Sequence, residues 1–435
     1  MQSSPSRSHI LILIALVGLL ALCGWVAFMM FKASDEVAML SRNNPQPVHP
    51  TLAASAPFTA DSPPTEIDPT EDVAVEDEHL AYVPDELILK VGSKEEVIEL
   101  LQLALANGGE FVDAVAALKT FRLRFGSEED AIRFRNQLGD AYQTENNHLV
   151  KAPDYPDYPD YETRDESESQ SLTGFGTNAL DWLGISGDHS EWGAGVLVAI
   201  LDTGMYAHKS FAGMTVSQLD LVGGADAVVT DYDSHGTAVA SVSAQVAPAS
   251  DILSIRVLDA EGLGNSYTVA SGIVTAVDSG ASVINLSVGG YSDSTVLREA
   301  VAYAIDSGVA VVAAAGNDGS NAPSYPAAYE GVVGVSAVDA EGQIAHFSNY
   351  GDAVDLAAPG VEIVAAWEDS ASVTMSGTSA AAPFVTGAVA ALLSTGIAAT
   401  GAEAVGMLET HAADLGTTGV DADFGYGALQ LGELF

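Results

Sequence analysis

The chain has 435 residues, 48% of them hydrophobic, and a formal net charge of −44. That length and apolar content allow a large core and more than one domain, while the acidic excess excludes nucleic acid and anionic lipid headgroups as electrostatic partners of the surface. From residue 171 onward the only basic residues are Lys209, Arg256 and Arg298, and the single cysteine, Cys23, excludes an intramolecular disulfide.

After a short tail (1–9), residues 10–31 form an uncharged apolar stretch. A helix over it, rising about 1.5 Å per residue, is long enough to cross a bilayer. Two readings stand: an uncleaved signal anchor, or a signal peptide cut near Ala21-Leu22-Cys23. The stretch exceeds an ordinary signal-peptide core, and such a cut would leave an apolar terminus from Trp25 onward, which favours the anchor. Either way the remainder of the chain is exported, held at the membrane or secreted after processing. Residues 32–81 are rich in proline and acids, with Pro45, Pro47, Pro50, Pro57, Pro63, Pro64 and Pro69, and read as a disordered spacer.

Residues 82–150 read as a small α+β module. Residues 86–90 suit a strand. Ser93 with Glu96 forms a capping box that opens a helix, which stops at Asn107-Gly108-Gly109. Residues 120–125 alternate as a second strand, and Ser127-Glu128-Glu129-Asp130 opens a second helix. In 151–172 the triplet Pro-Asp-Tyr recurs, starting at Pro153, Pro156 and Pro159; repeated proline and acid disfavour packing, so this is an exposed, cleavable linker.

Residues 173–435 hold the chemistry. The continuous apolar run 196–201 marks a parallel strand buried on both faces, and it ends in Asp202-Thr203-Gly204. A carboxylate at the C-terminal end of such a strand lies where α/β sheets place their sites. His235 stands where a polar loop gives way to a small-residue helix. A second buried strand, 309–315, ends in Gly316-Asn317. Ser379 lies in Gly377-Thr378-Ser379-Ala380-Ala381-Ala382-Pro383, at the start of an apolar helix whose amide groups and dipole favour negative charge. In isolation Asp202, His235 and Ser379 each read as a strand end or a helix cap. Together with Asn317 they supply a nucleophile, a base, an orienting carboxylate and an amide donor.

This Asp…His…Asn…Ser order, with Asp-Thr-Gly, His-Gly-Thr, Ala-Gly-Asn and Gly-Thr-Ser-x-Ala-x-Pro in sequence, resembles the subtilisin-like serine peptidases. Residues 285–290, 347–351, 358–360 and 425–427 match as well, so the resemblance covers more than half of the chain. It implies a three-layer α/β/α fold with a mainly parallel central sheet. It also implies a triad of Asp202, His235 and Ser379, with Asn317 in the oxyanion hole. The module at 82–150 then resembles the family's propeptide, a folding chaperone and inhibitor whose C-terminal segment, residues 147–150, would lie in the cleft. Substrate strands would pair with Gly262, Leu263 and Gly264 on one side and Ser287, Val288 and Gly289 on the other. Ala313, Ala314 and Gly316 would complete a specificity pocket for apolar or aromatic side chains, with Ser324 making its floor shallower than in relatives that have glycine there. Tyr325-Pro326 suits a cis bond.

Departures from the family pattern are Ala238, where many members have a second histidine, and Ala380 in place of methionine. Neither removes a reacting group. His208, His346 and His411 read as structural. The chemistry requires no cofactor; calcium is common in the family, but the sequence assigns it no ligands. The implied partners are protein or peptide substrates, the chain's own propeptide, and the membrane through residues 10–31. The alternative is a member that cleaves only itself, or nothing, and serves as a binding module.

Overall fold

The computed structural model describes residues 81–153, 172–223, 234–321, 324–368 and 371–435. The apolar stretch 10–31, most of the acidic spacer and the Pro-Asp-Tyr repeats beyond Pro153 lie outside the described residues. Among those described, no helix is long and apolar enough to cross a membrane.

The N-terminal unit contains β1 (Tyr82–Lys90), α1 (Lys94–Ala106), β2 (Glu110–Val115), β3 (Thr120–Arg124), α2 (Glu128–Leu138) and β4 (Gln143–Lys151). Its strands pair antiparallel in the order β2-β3-β1-β4. Ser93 caps the helix as the sequence predicts, its side chain accepting from Glu96 N (3.2 Å), while the Glu96 carboxylate accepts from Gly92 N (2.7 Å), one residue before the cap rather than from the cap itself. Helix α1 buries Val97, Leu100, Leu101 and Ala104, one face at three- and four-residue spacing. Helix α2 buries Ala131, Phe134 and Leu138 in the same way. Both faces meet Phe121, Leu123 and Leu89 in a core separate from that of the larger unit.

Strands β2 and β4 are additional to the elements predicted from sequence. Strand β4 reads QTENNHLVK and is mostly polar. It forms because β1 supplies one ladder and β8 (Leu263–Asn265) another, while its polar side chains bond to the larger unit.

The larger unit is built on a seven-stranded sheet. Its strands are β5 (Leu197–Asp202), β6 (Val216–Asp220), β7 (Asp251–Arg256), β9 (Val283–Leu286), β10 (Ala310–Ala314), β11 (Val333–Val338) and β12 (Leu356–Pro359). The order is β12-β11-β10-β9-β5-β7-β6, and every neighbouring pair is parallel. After a short helix α3 (Ala179–Trp182), the helices on the sheet are α4 (His235–Val246), α5 (Ser266–Asp278), α6 (Thr295–Asp306) and α7 (Thr378–Ser394). Helices α4 and α7 share one core with one sheet face, and α5 and α6 share a second core with the other. This is the three-layer α/β/α arrangement with a mainly parallel sheet expected from the sequence. A hairpin, β13 (Ile363–Ala366) with β14 (Ser372–Met375), leads into α7, and α8 (Gly401–His411) packs behind it.

Strand order explains where the chemistry collects. The chain runs from β5 out to β6 at the edge and back to β7 on one side, then crosses to β9 through β12 on the other. The crevice beside the C-terminal end of β5 is therefore the switch point of the sheet, where parallel α/β folds bind ligands.

Candidate active site

Asp202 is the last residue of β5 and is 1% exposed. Its Oδ1 accepts from Thr203 N (2.8 Å) and lies 2.7 Å from His235 Nδ1. The carboxylate thus fixes the ring and holds the Nδ1-protonated tautomer, which leaves Nε2 the basic nitrogen. His235 is the first residue of α4 and is also 1% exposed. The helix can start this close to the strand end because the next residue is glycine: a Cβ on Gly236 would meet Gly204 O at 2.2 Å. Gly236 N also donates to Thr203 Oγ1 (3.1 Å), tying the two motifs together. Ser234 takes a left-handed φ of 62° to turn the chain into the helix.

Ser379 is the second residue of α7, where backbone N–H groups have no intrahelical acceptor. Its Oγ is buried and has no hydrogen-bond partner among the described residues. Four residues on, Pro383 lacks the N–H that would bond Ser379 O in a regular helix. Ser287 takes over that carbonyl, its hydroxyl donating at 3.2 Å. Ser287 Oγ accepts in turn from Asn285 Nδ2 (3.0 Å), and Thr386 Oγ1 donates to Asn285 Oδ1 (2.9 Å). A buried relay therefore holds the first turn of α7 against β9.

Asn317 follows β10. Its Oδ1 accepts from both Thr378 N and Thr378 Oγ1, each at 2.9 Å. That fixes the amide so that Nδ2 faces Gly377, 2.9 Å from where a Cβ would stand there. Gly377 has a φ of 146°, a conformation that favours glycine. Thr378 and the relay of Asn285 and Thr386 were not foreseen as supports. For Asn285 and Thr386 the signal was a polar residue inside an otherwise apolar run.

The predicted cleft residues separate into two groups. A cavity of about 440 Å³ is lined by Leu263, Gly289, Gly316 and Ser324 together with Leu149, Val150, Lys151, Pro153 and Tyr291. Ser324 Oγ lies 2.4 Å from the position of a Gly289 Cβ and 3.5 Å from that of a Gly316 Cβ, so its side chain fills the floor between the two glycines. Val288, Ala313 and Ala314, expected as pocket walls, do not line this cavity. Their side chains are fully buried in the two cores because the strand region they occupy is covered on both faces.

Strand β4 runs through this cleft. Leu149, Val150 and Lys151 pair antiparallel with Asn265, Gly264 and Leu263, and Ala152 N donates to Gly262 O (2.9 Å). On the other side Lys151 N donates to Gly289 O (2.9 Å) and Gly289 N to Lys151 O (2.8 Å). Residues 149–152 therefore add a strand between two edges.

His208 bonds Ala371 O and Ser210, and His411 bonds Met407 O; both are structural contacts. Tyr325-Pro326 is cis. No group of three or more metal-ligating side chains is present among the described residues.

Comparison with known proteins places this geometry in a family context. The profile of the subtilase family, Peptidase_S8, matches residues 193–427. Thermitase of Thermoactinomyces vulgaris is 40% identical over 238 residues, covering 52% of this chain and 84% of that protein. A thermophilic serine proteinase of Bacillus sp. (strain AK1) is 39% identical over 220 residues, 48% of this chain; the matched region spans 55% of that relative's length. Among solved structures, fervidolysin from Fervidobacterium pennivorans, a keratinolytic enzyme related to subtilisin, matches with a TM-score of 0.69 at 27% identity. That match covers 81% of this chain and 61% of that one.

Proposed function

The chain belongs to the subtilase family and carries a subtilisin-like serine peptidase domain, and from that premise we propose that the whole protein is an exported serine endopeptidase made as a self-inhibited precursor. The observation that carries this reading is the short His235–Asp202 contact at the sheet's switch point, beside a cleft already filled by the chain's own strand.

In this reading Ser379 Oγ attacks the substrate carbonyl carbon while His235 Nε2 takes its proton. Asp202 keeps the imidazole in its tautomer and stabilises it when charged. The oxyanion receives hydrogen bonds from Asn317 Nδ2 and Ser379 N. Collapse of the intermediate expels the amine, which leaves with the proton carried by His235, and an ester on Ser379 remains for water to hydrolyse. Substrate enters as the strand that residues 149–152 now mimic, with its side chain in the cavity floored by Ser324.

The unit built from β1 to β4 acts as the propeptide, and residues 10–31 anchor the precursor until processing releases it. Calcium, if bound, is structural. The test is turnover of a chromogenic peptide ending in an apolar residue, with Ser379→Ala and His235→Ala beside the wild type. The reading expects turnover that both substitutions abolish; a folded wild type without turnover marks a non-catalytic member.

A further inference from the structure

Resting on the reading of the N-terminal unit as an inhibitor in cis, we propose that Pro153 occupies the cleavage position, and that proline there makes the chain's own strand a slowly cut and therefore persistent inhibitor.

The position follows from register. Lys151 and Gly289 exchange both backbone hydrogen bonds, at 2.9 and 2.8 Å. In an antiparallel ladder such mutually bonded pairs recur every second residue. The next pair towards the active serine is Pro153 opposite Ser287. Ser287 is the residue whose hydroxyl holds Ser379 O at 3.2 Å. Pro153 also lines the cavity with Gly289, Gly316 and Ser324. The carbonyl presented to Ser379 is accordingly that of Pro153.

Proline is a poor residue for this place on two counts. It has no N–H, so the bond to Ser287 O that the ladder calls for cannot form. Its ring holds φ near −65°, whereas an antiparallel strand favours a value of about −140°. Both faults fall on the residue whose acyl group must be transferred, while the strand before it keeps its ladder bonds through residue 152. Tight binding with slow chemistry results. Cleavage, when it occurs, transfers the Pro153 acyl carbon to Ser379 Oγ and releases the amine of the following residue. Water then frees the Pro153 carboxylate and restores the Ser379 hydroxyl.

The experiment is an intact-mass time course on the full chain, comparing wild type, Pro153→Ala and Pro153→Tyr, each checked for folding by circular dichroism and assayed with an added chromogenic peptide. Restoring the N–H should speed loss of the N-terminal unit at the bond after residue 153 by about tenfold or more, the range expected when one buried hydrogen bond is regained. The alanine variant removes both faults at once, the missing N–H and the fixed φ, and the tyrosine variant does the same with a larger side chain. Equal rates at that bond, or cleavage of all three proteins at one other bond, overturn the proposal and leave the peptidase reading standing. Folded proteins that neither shorten nor turn over the added peptide overturn both.

Discussion

Asn317 shows how a single side chain is aimed. Thr378 occupies both acceptor directions of its carbonyl oxygen, at 2.9 Å each, so the amide nitrogen has one way to point. Replacing it with alanine should lower kcat roughly 10²–10³-fold with little change in KM, a magnitude established on a subtilisin rather than derived from this chain; steady-state kinetics on the processed enzyme checks it. The candidate site residues Asp202, His235, Asn317 and Ser379 could be singled out in the sequence because each ends a buried strand or opens a small-residue helix. The relay of Thr386, Asn285 and Ser287 was not, because a polar residue in an apolar run has no marked partner until the strands are ordered. Asp355 gives a pH prediction at the same scale. Burial pushes its carboxyl above the ordinary value of 3.8, only partly opposed by the bond from Gly334 N at 2.8 Å. The folded state then holds this proton more tightly than the unfolded chain, so Asp355 removes stability as pH rises from 3.8 towards its folded value. Urea unfolding across that window should show a shallower decline for Asp355→Asn than for wild type.

At the scale of elements, the mostly polar strand β4 supplies polar contacts between the two units, beside an apolar contact of Ile88, Val115 and Leu118 with α5 and α6. Glu145 accepts from Ser294 Oγ and from the first backbone N–H groups of α6, with Thr295 N at 3.0 Å. Two residues on, Asn147 Oδ1 accepts from Tyr267 N at the start of α5 (3.1 Å). Each side chain meets a helix N-terminus, where donors lack intrahelical partners and the dipole favours negative charge. Behind them Glu86, fully buried, accepts from Arg122 (3.2 Å), Arg124 (2.6 Å) and Asn147 (2.6 Å), and the Arg122 guanidinium lies 5.0 Å from the ring centre of Tyr267. Glu145→Ala should therefore destabilise the unprocessed chain by about 1 kcal/mol, the usual cost of a lost cap, while leaving the processed enzyme unchanged. Thermal unfolding of precursor and product separates the two. The helices of this unit could be read from their caps and apolar spacing; strand β4 could not, since it pairs with β1 and β8, both distant in sequence, and β2 is an edge strand whose only partner among the described residues is the neighbouring β3.

For the molecule as a whole, the net charge of −44 is the dominant unlocalised force. Such a charge opposes compaction through self-repulsion, which added salt screens within about 10 Å at 0.1 M. The melting temperature should rise with NaCl from near-zero concentration, and a monotonic fall would show that specific ion pairs outweigh the repulsion. The fold class was legible because continuous apolar runs alternate with small-residue helices. Residues 147–150 were expected in the cleft on resemblance alone; the register with Gly262, Gly264 and Gly289 puts residues 149–152 there, two residues further on. The central claim is that one serine cuts both this strand and added substrate. The measurement that tests it most directly is an intact-mass time course of the wild-type chain and its Ser379→Ala twin, with chromogenic turnover followed in parallel. The account predicts that the wild type shortens and turns over substrate while the alanine variant stays whole and inert. Equal processing and turnover by the two proteins, or neither by a folded wild type, would contradict it.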